Sequence, residues 1–446
     1  MNNIEKFSKF TYLDKKFNET LSKIILGNDN YQYYHEINLE PEDLEGLRNV
    51  NVSDKYNIFI TTSAKTSMLK AYNLNTGDAC GDLHYLYEGN LQSVRNTQII
   101  DQHLFCCSWD RSCHLLDLRT GHLIRIYSDH LNRIGRCPFV KVIPELNRLF
   151  LANYQSDCDP GLGNAVAEFD LSTGEFLQMF CEHNTTQYAQ SICLEYDSGS
   201  KCLFTGSDDG RIYRRDLSGA IQMSYEGHRG TIRMLALSPD KSKLLSGCGD
   251  GKIRVYNAVT GLLLKIIDGF GSEIADVAFA GKYIIGASWD LSLKAFNGET
   301  FELQKSYESH TDDLWKFAVF GSSQEKLVSA CLDGRARFFE VNTGEEICTC
   351  YNLKNADVLW TCPDTEYSKA KFFTNAPEKY IKVYKKQRNK EAVEVFGHER
   401  DEYIRNHNNR SVISRINDYN FFKNLSKKNQ LNPIFSLNRL LNKKNK

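Results

Sequence analysis

A hydroxyl nucleophile, an imidazole base and a carboxylate to orient it are the groups that perform acyl transfer, and His228, Ser246 and Asp250 supply all three. The same grouping returns at His310, Ser329 and Asp333, and again, with a threonine, at His183, Thr205 and Asp209. A hydrolase needs one such set in one cleft. Recurrence in the same order points instead to a structural motif carried by each copy of a repeat, so no catalytic residue is assigned.

The repeat that positions these groups is visible in the segments LLSGCGDGKIRVYNAVTG, LVSACLDGRARFFEVNTG, LFCCSWDRSCHLLDLRTG and LFTGSDDGRIYRRDLSG. Each reads as two strands joined by a tight turn, because apolar residues alternate and a small-residue turn carrying Asp breaks the run. In one unit a further strand precedes (TIRMLALSPD) and another follows (LLLKIID). Four short antiparallel strands make one blade of a propeller. The last large residue of each third strand falls at Tyr72, Leu116, Phe169, Arg215, Tyr256, Phe296, Phe339 and Tyr384. Most of these spacings match the ~40–45 residues of a four-stranded blade. Eight markers predict eight blades, and the irregular first and last units leave seven open.

On these residues the stretch 45–398 resembles the WD-repeat β-propeller family. The fullest unit has Gly227-His228 before its first strand, Ser238-Pro239-Asp240 at the first turn, Ser246 in the second strand and Asp250 in the second turn. Tyr256-Asn257 stands where the namesake Trp-Asp would be. The actual Trp-Asp pairs, Trp109-Asp110 and Trp289-Asp290, fall elsewhere in the family register: Asp110 and Asp290 are turn residues, and Leu116-Asp117 and Phe296-Asn297 occupy the namesake positions. The resemblance implies a buried hydrogen-bonded chain from turn Asp to His, to the second-strand hydroxyl, to the third-strand aromatic. His228, Ser246, Asp250 and Tyr256 form the complete set. The set of His310, Ser329 and Asp333 ends at Phe339, and that of His183, Thr205 and Asp209 at Arg215. Cys106 and Gly286 replace the hydroxyl in other units, and Asn90, Phe270 and Asn355 replace the His, so packing is expected to substitute there.

A propeller's function must be sought at its sites, not in its fold. The resemblance implies that the loop entering the first strand and the Asp-bearing turn open on one face, the top. Trp109 and Trp289 fall in such turns. Trp315 and Trp360 fall at matching first-strand positions, which Arg95 and Arg233 hold in other units, and Arg133, Glu273 and Asp313 lie two residues earlier. Tryptophan and arginine dominate interface hot spots. Trp109, Trp289, Trp315, Trp360, Arg95, Arg133, Arg233 and Asp313 are therefore the expected partner-binding set, with channel filling or packing between blades as the competing role for Trp315 and Trp360. Asp117-Leu118-Arg119 resembles the box carried by propellers that serve as substrate receptors of cullin-type ubiquitin ligases, which makes Arg119 a candidate adaptor contact.

Composition bounds the partners. Lys+Arg 55 against Asp+Glu 56 gives no global attraction to nucleic acid or anionic membrane. No run of 18 apolar residues exists and the N-terminus lacks a signal-peptide core, so an intracellular, cytoplasmic chain is expected, with the nucleus left open. The cysteines are scattered without a CxxC pair, which predicts reduced, buried thiols and no metal site. Asp157 and Asp159, in an insertion from Asn153 to Asn164, lack the further ligands of a calcium loop. Residues 1–44 read as an N-terminal extension holding a short helix (NETLSKIILG) and a strand (YYHEINL) that helps close the ring. Residues 399–446 read as a basic Asn/Lys-rich tail, the one part with a composition for nucleic acid. The expectation is an all-β, WD-repeat-like propeller acting as a non-catalytic scaffold for a protein or peptide partner. No cofactor or small-molecule substrate is expected, and a ubiquitin-ligase substrate receptor is the alternative.

Overall fold

The computed structural model describes residues 31–37, 39, 41–66, 68–80, 94–129, 134–154, 164–183, 193–354, 357–362, 371–376, 380–387, 393–395, 404 and 408. The expected helix at the N-terminus, the tail beyond 408, Arg133, Asn90, Asn355 and most of the Asn153–Asn164 insertion lie outside them.

Seven antiparallel sheets stand around one axis. Their inner strands are Leu47–Ser53, Val94–Ile100, Arg136–Ile143, Cys193–Asp197, Ile232–Leu237, Ile274–Ala280 and Leu314–Phe320. Each inner strand contacts the next, and the seventh contacts the first, so the ring is closed. Within a blade the strands follow in sequence order, as in blade 5, where Ile232–Leu237, Lys243–Cys248, Ile253–Asn257 and Leu263–Ile267 pair as neighbours. Chain order and spatial order coincide because the short connections within a blade favour adjacent antiparallel pairing. The hydrophobic clusters lie between neighbouring blades: Phe204, Tyr225, Leu235, Leu244 and Tyr256 pack between blades 4 and 5. The twelve cysteines whose side chains are described are free, and all but Cys80 are buried.

The count is seven, the smaller of the two that the sequence left open. Tyr384, the eighth marker, belongs to Ile381–Gln387, which pairs with Tyr31–Ile37 and Val393–Val395 in a separate three-stranded sheet. Its spacing imitates a blade, but its pairing does not. The strand Tyr31–Ile37 therefore joins this sheet and no blade. Leu359–Cys362, whose Trp360 the sequence places at the start of a first strand, extends the outer edge of blade 7 instead, and Lys371–Thr374 pairs with it.

Candidate functional site

The recurrent Ser/His/Asp groups are internal struts. In blade 5, His228 Nε2 lies 2.6 Å from Ser246 Oγ, and Ser246 also contacts Tyr256, whose hydroxyl donates to Glu226 O at 3.0 Å. Asp250 Oδ2 is 3.3 Å from His228 Nδ1, but Arg254 reaches both more closely, at 2.5 Å from Nδ1 and 2.7 Å from the carboxylate. Burial, with Arg254 adding to it, lowers the His228 pKa to about 4. A neutral imidazole has one N–H; here Nδ1 accepts from the guanidinium, so Nε2 donates to Ser246. The Asp–His link expected from the sequence is thus mediated by an arginine. Blade 7 repeats it only in part, since His310 Nδ1 has no hydrogen-bond partner. His310 Nε2 meets Ser329 Oγ at 2.8 Å, while Asp333 accepts from Arg337 at 2.7 Å and from the Thr311 hydroxyl at 3.0 Å. Burial lowers the His310 pKa to about 3.

In blade 4 the His183 side chain lies outside the described residues. Thr205 Oγ1 accepts from Arg215 Nε at 3.3 Å, and Asp209 accepts from the Arg211 N–H at 2.9 Å. Blade 6 replaces the chain with packing: Phe270 fills the place of the imidazole, and a Cβ at Gly286 would come within 2.9 Å of its ring. The donor atoms of His228, Cys248 and Asp250 lie within 4.8 Å of one another. Two of the three already hold Arg254, and burial pushes the Cys248 thiol up to about 12, so this trio is a strut.

The top of the ring differs in kind. In blades 1, 2, 5, 6 and 7 the inner strand carries a register shift at its second residue: Arg48, Arg95, Arg233, Ala275 and Trp315. Such a bulge inserts one residue and re-aims its side chain, here toward the end of the axis where the inner strands begin. A cavity of about 240 Å³ lies there, lined by four arginines (Arg48, Arg95, Arg136, Arg233), three tryptophans (Trp109, Trp289, Trp315), Lys316 and small or apolar side chains. The rings and guanidinium groups are stacked. Arg95 lies 3.3 Å above the Trp109 ring, with Arg136 at 4.9 Å. Arg233 lies 4.3 Å above Trp289 and Arg48 3.7 Å above Trp315, and the two indoles are 4.7 Å apart. Cation–π stacking holds each arginine extended at little further entropy cost.

Two of the cations are balanced: Arg233 pairs with Glu273, and Lys316 with Asp276 at 3.3 Å. Arg48 and Arg95 make no ion pair among the described residues. Burial, then repulsion from Arg233, lowers the Arg48 pKa to about 10. The turns that present Trp109 and Trp289 are strained as well. Arg111 and Leu291 adopt φ of 71° and 72°, where the matching turns of blades 4, 5 and 7 have Gly210, Gly251 and Gly334. Side chains in that region cost roughly 1–2 kcal/mol, and strain of this kind concentrates at functional positions.

Of the residues expected at this face, Trp109, Trp289, Trp315, Arg95 and Arg233 line one cavity. Asp313 lies in the loop before the blade 7 inner strand, its carbonyl accepting from the Leu332 N–H at 3.0 Å. Trp360 is elsewhere. It is 0% exposed and sits between the outer parts of blades 7 and 1, because its strand edges blade 7 and starts no blade. Arg119 is exposed on the opposite face, in the turn after Cys113–Asp117. Sequence reasoning missed Arg48 and Arg136. Arg48 was recoverable, since it occupies the same second position as Arg95 and Arg233.

The WD domain, G-beta repeat model matches residues 219–257, the fullest repeat unit. The chain is 29% identical over 156 residues to Periodic tryptophan protein 2 homolog of Dictyostelium discoideum, covering 34% of this chain and 17% of that one. It is 27% identical over 192 residues to Nuclear distribution protein nudF of Aspergillus flavus, covering 40% and 42%. With Target of rapamycin complex subunit wat1 of Schizosaccharomyces pombe it shares 27% over 148 residues, covering 32% and 45%. These matches span less than half the length of each relative. Among solved structures, the computationally designed Ika8 protein superposes with a TM-score of 0.52 at 20% identity, covering 74% of this chain and 96% of that one, a likeness of fold alone. No helix among the described residues is long and apolar enough to cross a membrane.

Proposed function

This chain is a WD-repeat β-propeller protein, and we propose that it serves as a non-catalytic scaffold that seats a partner protein in the arginine- and tryptophan-lined mouth of its ring. The observation that carries this reading is the stacked array itself: three indoles held against four guanidinium groups around one cavity. Preorganised aromatic and arginine side chains bind with little ordering cost, which is what a rigid ring of blades offers a partner. In blades 5 and 7 the Ser/His/Asp groups are spent on struts inside the blades. One of the relatives, wat1, is itself named as a subunit of a complex.

The test is a quantitative affinity capture from cell extract with the full chain, a Trp109→Ala/Trp289→Ala variant and an Arg119→Ala variant, each matched to the parent by circular dichroism. Loss of the specific partners from the tryptophan variant alone is the expected result. Partners that survive it and vanish with Arg119→Ala would overturn this reading in favour of a ligase adaptor contact on the opposite face.

A further inference from the structure

The mouth of the ring carries more positive charge than the protein itself neutralises. Arg233 and Lys316 have their carboxylates. Arg48 and Arg95, on adjacent blades, are half-buried, each lies flat on an indole, and neither has an acidic partner among the described residues. Arg95 Nε and the indole N–H groups of Trp289 and Trp315 are buried without an acceptor. A cation withdrawn from water without a counter-charge is costly, and the cost is recovered when an anion arrives. Among the residues that line the cavity, each of these unmet groups is a donor that calls for an acceptor.

We propose that this cavity receives an acidic peptide segment of the partner, with one carboxylate on Arg48 and a second on Arg95 while the chain between them lies over the tryptophans. The proposal rests on the mouth being the binding face. Its specific content is the chemistry of the occupant. At about 240 Å³ the cavity falls below the ~300 Å³ at which pockets for whole small molecules begin, so it suits side chains entering from a larger body. The two unpaired guanidinium groups also belong to separate stacks, Arg95 on Trp109 and Arg48 on Trp315. On adjacent blades and separate rings, they offer one receiving point each. Two carboxylates spaced along one peptide match that geometry, and a planar guanidinium is the group best shaped to take each of them.

The probe is fluorescein-labelled octaglutamate, measured by fluorescence anisotropy with the full chain at low salt, with octaglutamine as the neutral counterpart. The expected result is octaglutamate binding that weakens as salt is added and that shifts the indole emission, since three of the four tryptophans line the mouth. An Arg48→Gln/Arg95→Gln variant is expected to lose at least tenfold in affinity, and Arg119→Gln to lose nothing. If the glutamine variant does not fold, Arg48→Lys/Arg95→Lys replaces it; that variant keeps the charge, loses the fork, and is expected to bind several-fold more weakly than the parent. Equal affinity for octaglutamine, or undiminished octaglutamate binding by the arginine variants, overturns the proposal. So does the absence of octaglutamate binding at millimolar peptide. If octaglutamate fails while Trp109→Ala/Trp289→Ala still strips partners from the full chain, the acidic-peptide proposal falls and the binding face stands. If the tryptophan variant keeps its partners, the face itself falls.

Discussion

At the scale of single residues, the buried histidines decide how the blades respond to acid. His228 and His310 have pKa values of about 4 and about 3, below the ordinary ~6.5 of an imidazole. As pH falls the unfolded chain takes up protons first, so the stability tied to these rings is complete above about pH 6.5 and is lost progressively toward pH 4. For His228 it is on the order of 3 kcal/mol. The thermal midpoint should therefore fall between pH 6.5 and 4, and His228→Gln should flatten the profile in that window although it lowers stability at neutral pH. Parallel profiles for parent and variant would show that the ring is protonated in the fold. Asp, His and Ser were legible in sequence because their order repeats with the blade. Arg254 and Arg337 were not read, although each stands four residues after a turn Asp, where blades 2 and 6 also place a basic or imidazole side chain, His114 and Lys294. The family pattern gives that position no role; in blade 5 the Arg254 guanidinium takes over the link between carboxylate and imidazole, and in blade 7 Arg337 holds the carboxylate.

At the scale of elements, the seam between blades 7 and 1 is where the chain must close a ring without a covalent connection. Leu359–Cys362 is added to the outer edge of blade 7 to do this. Its Trp360 stands edge-on to Tyr72 at 5.7 Å and to Phe59 at 6.1 Å, both of blade 1, and its indole N–H donates to Gly77 O at 3.1 Å. Backbone links run alongside, from the Glu45 N–H to Asn352 O at 2.9 Å and from the Asn352 side chain back to Glu45 O at 2.7 Å. Removing a fully buried indole costs ~3–5 kcal/mol, so Trp360→Ala should lower the unfolding free energy from denaturant titration by that much. It should also leave the stacking of Trp289 on Trp315 intact, read from the indole emission of the folded variant. A loss below 1 kcal/mol would mean that the backbone links alone close the ring. The extra strands were misread because a periodic marker records spacing, whereas a blade requires four strands in one sheet. Alternation along Leu359–Cys362 cannot tell an inner strand from an edge strand. The partner that settles it, Cys350 opposite Trp360, is fixed only by tertiary pairing.

At the scale of the whole molecule, each blade packs mainly against its two neighbours, so stability is close to a sum of blade and interface contributions. In a closed ring any single blade loses two interfaces when it opens. An interior blade must also form a loop tethered at both ends, whereas blade 1 or blade 7, once the pairing of Tyr31–Ile37 with Ile381–Gln387 opens, unravels from one end of the propeller chain and escapes that entropy cost. Opening is therefore expected to begin at the seam, despite burial as deep there as anywhere else. Hydrogen exchange followed by mass spectrometry checks this: amides of Glu45, Cys350 and Asn352 should exchange before those of Ser246 and Val255 in blade 5, and Trp360→Ala should widen the gap. Uniform protection around the ring would mean that it opens only as a whole. The early-opening sector contains Arg48 and Trp315, which belong to blades 1 and 7, while Trp109 and Trp289 sit on blades 2 and 6. A partner that grips both sides of the mouth therefore staples the weak interface between its two firmer neighbours, and binding should slow exchange at the seam more than in blade 4, the blade opposite it. Protection spread evenly, or confined to the mouth, would separate partner binding from ring closure.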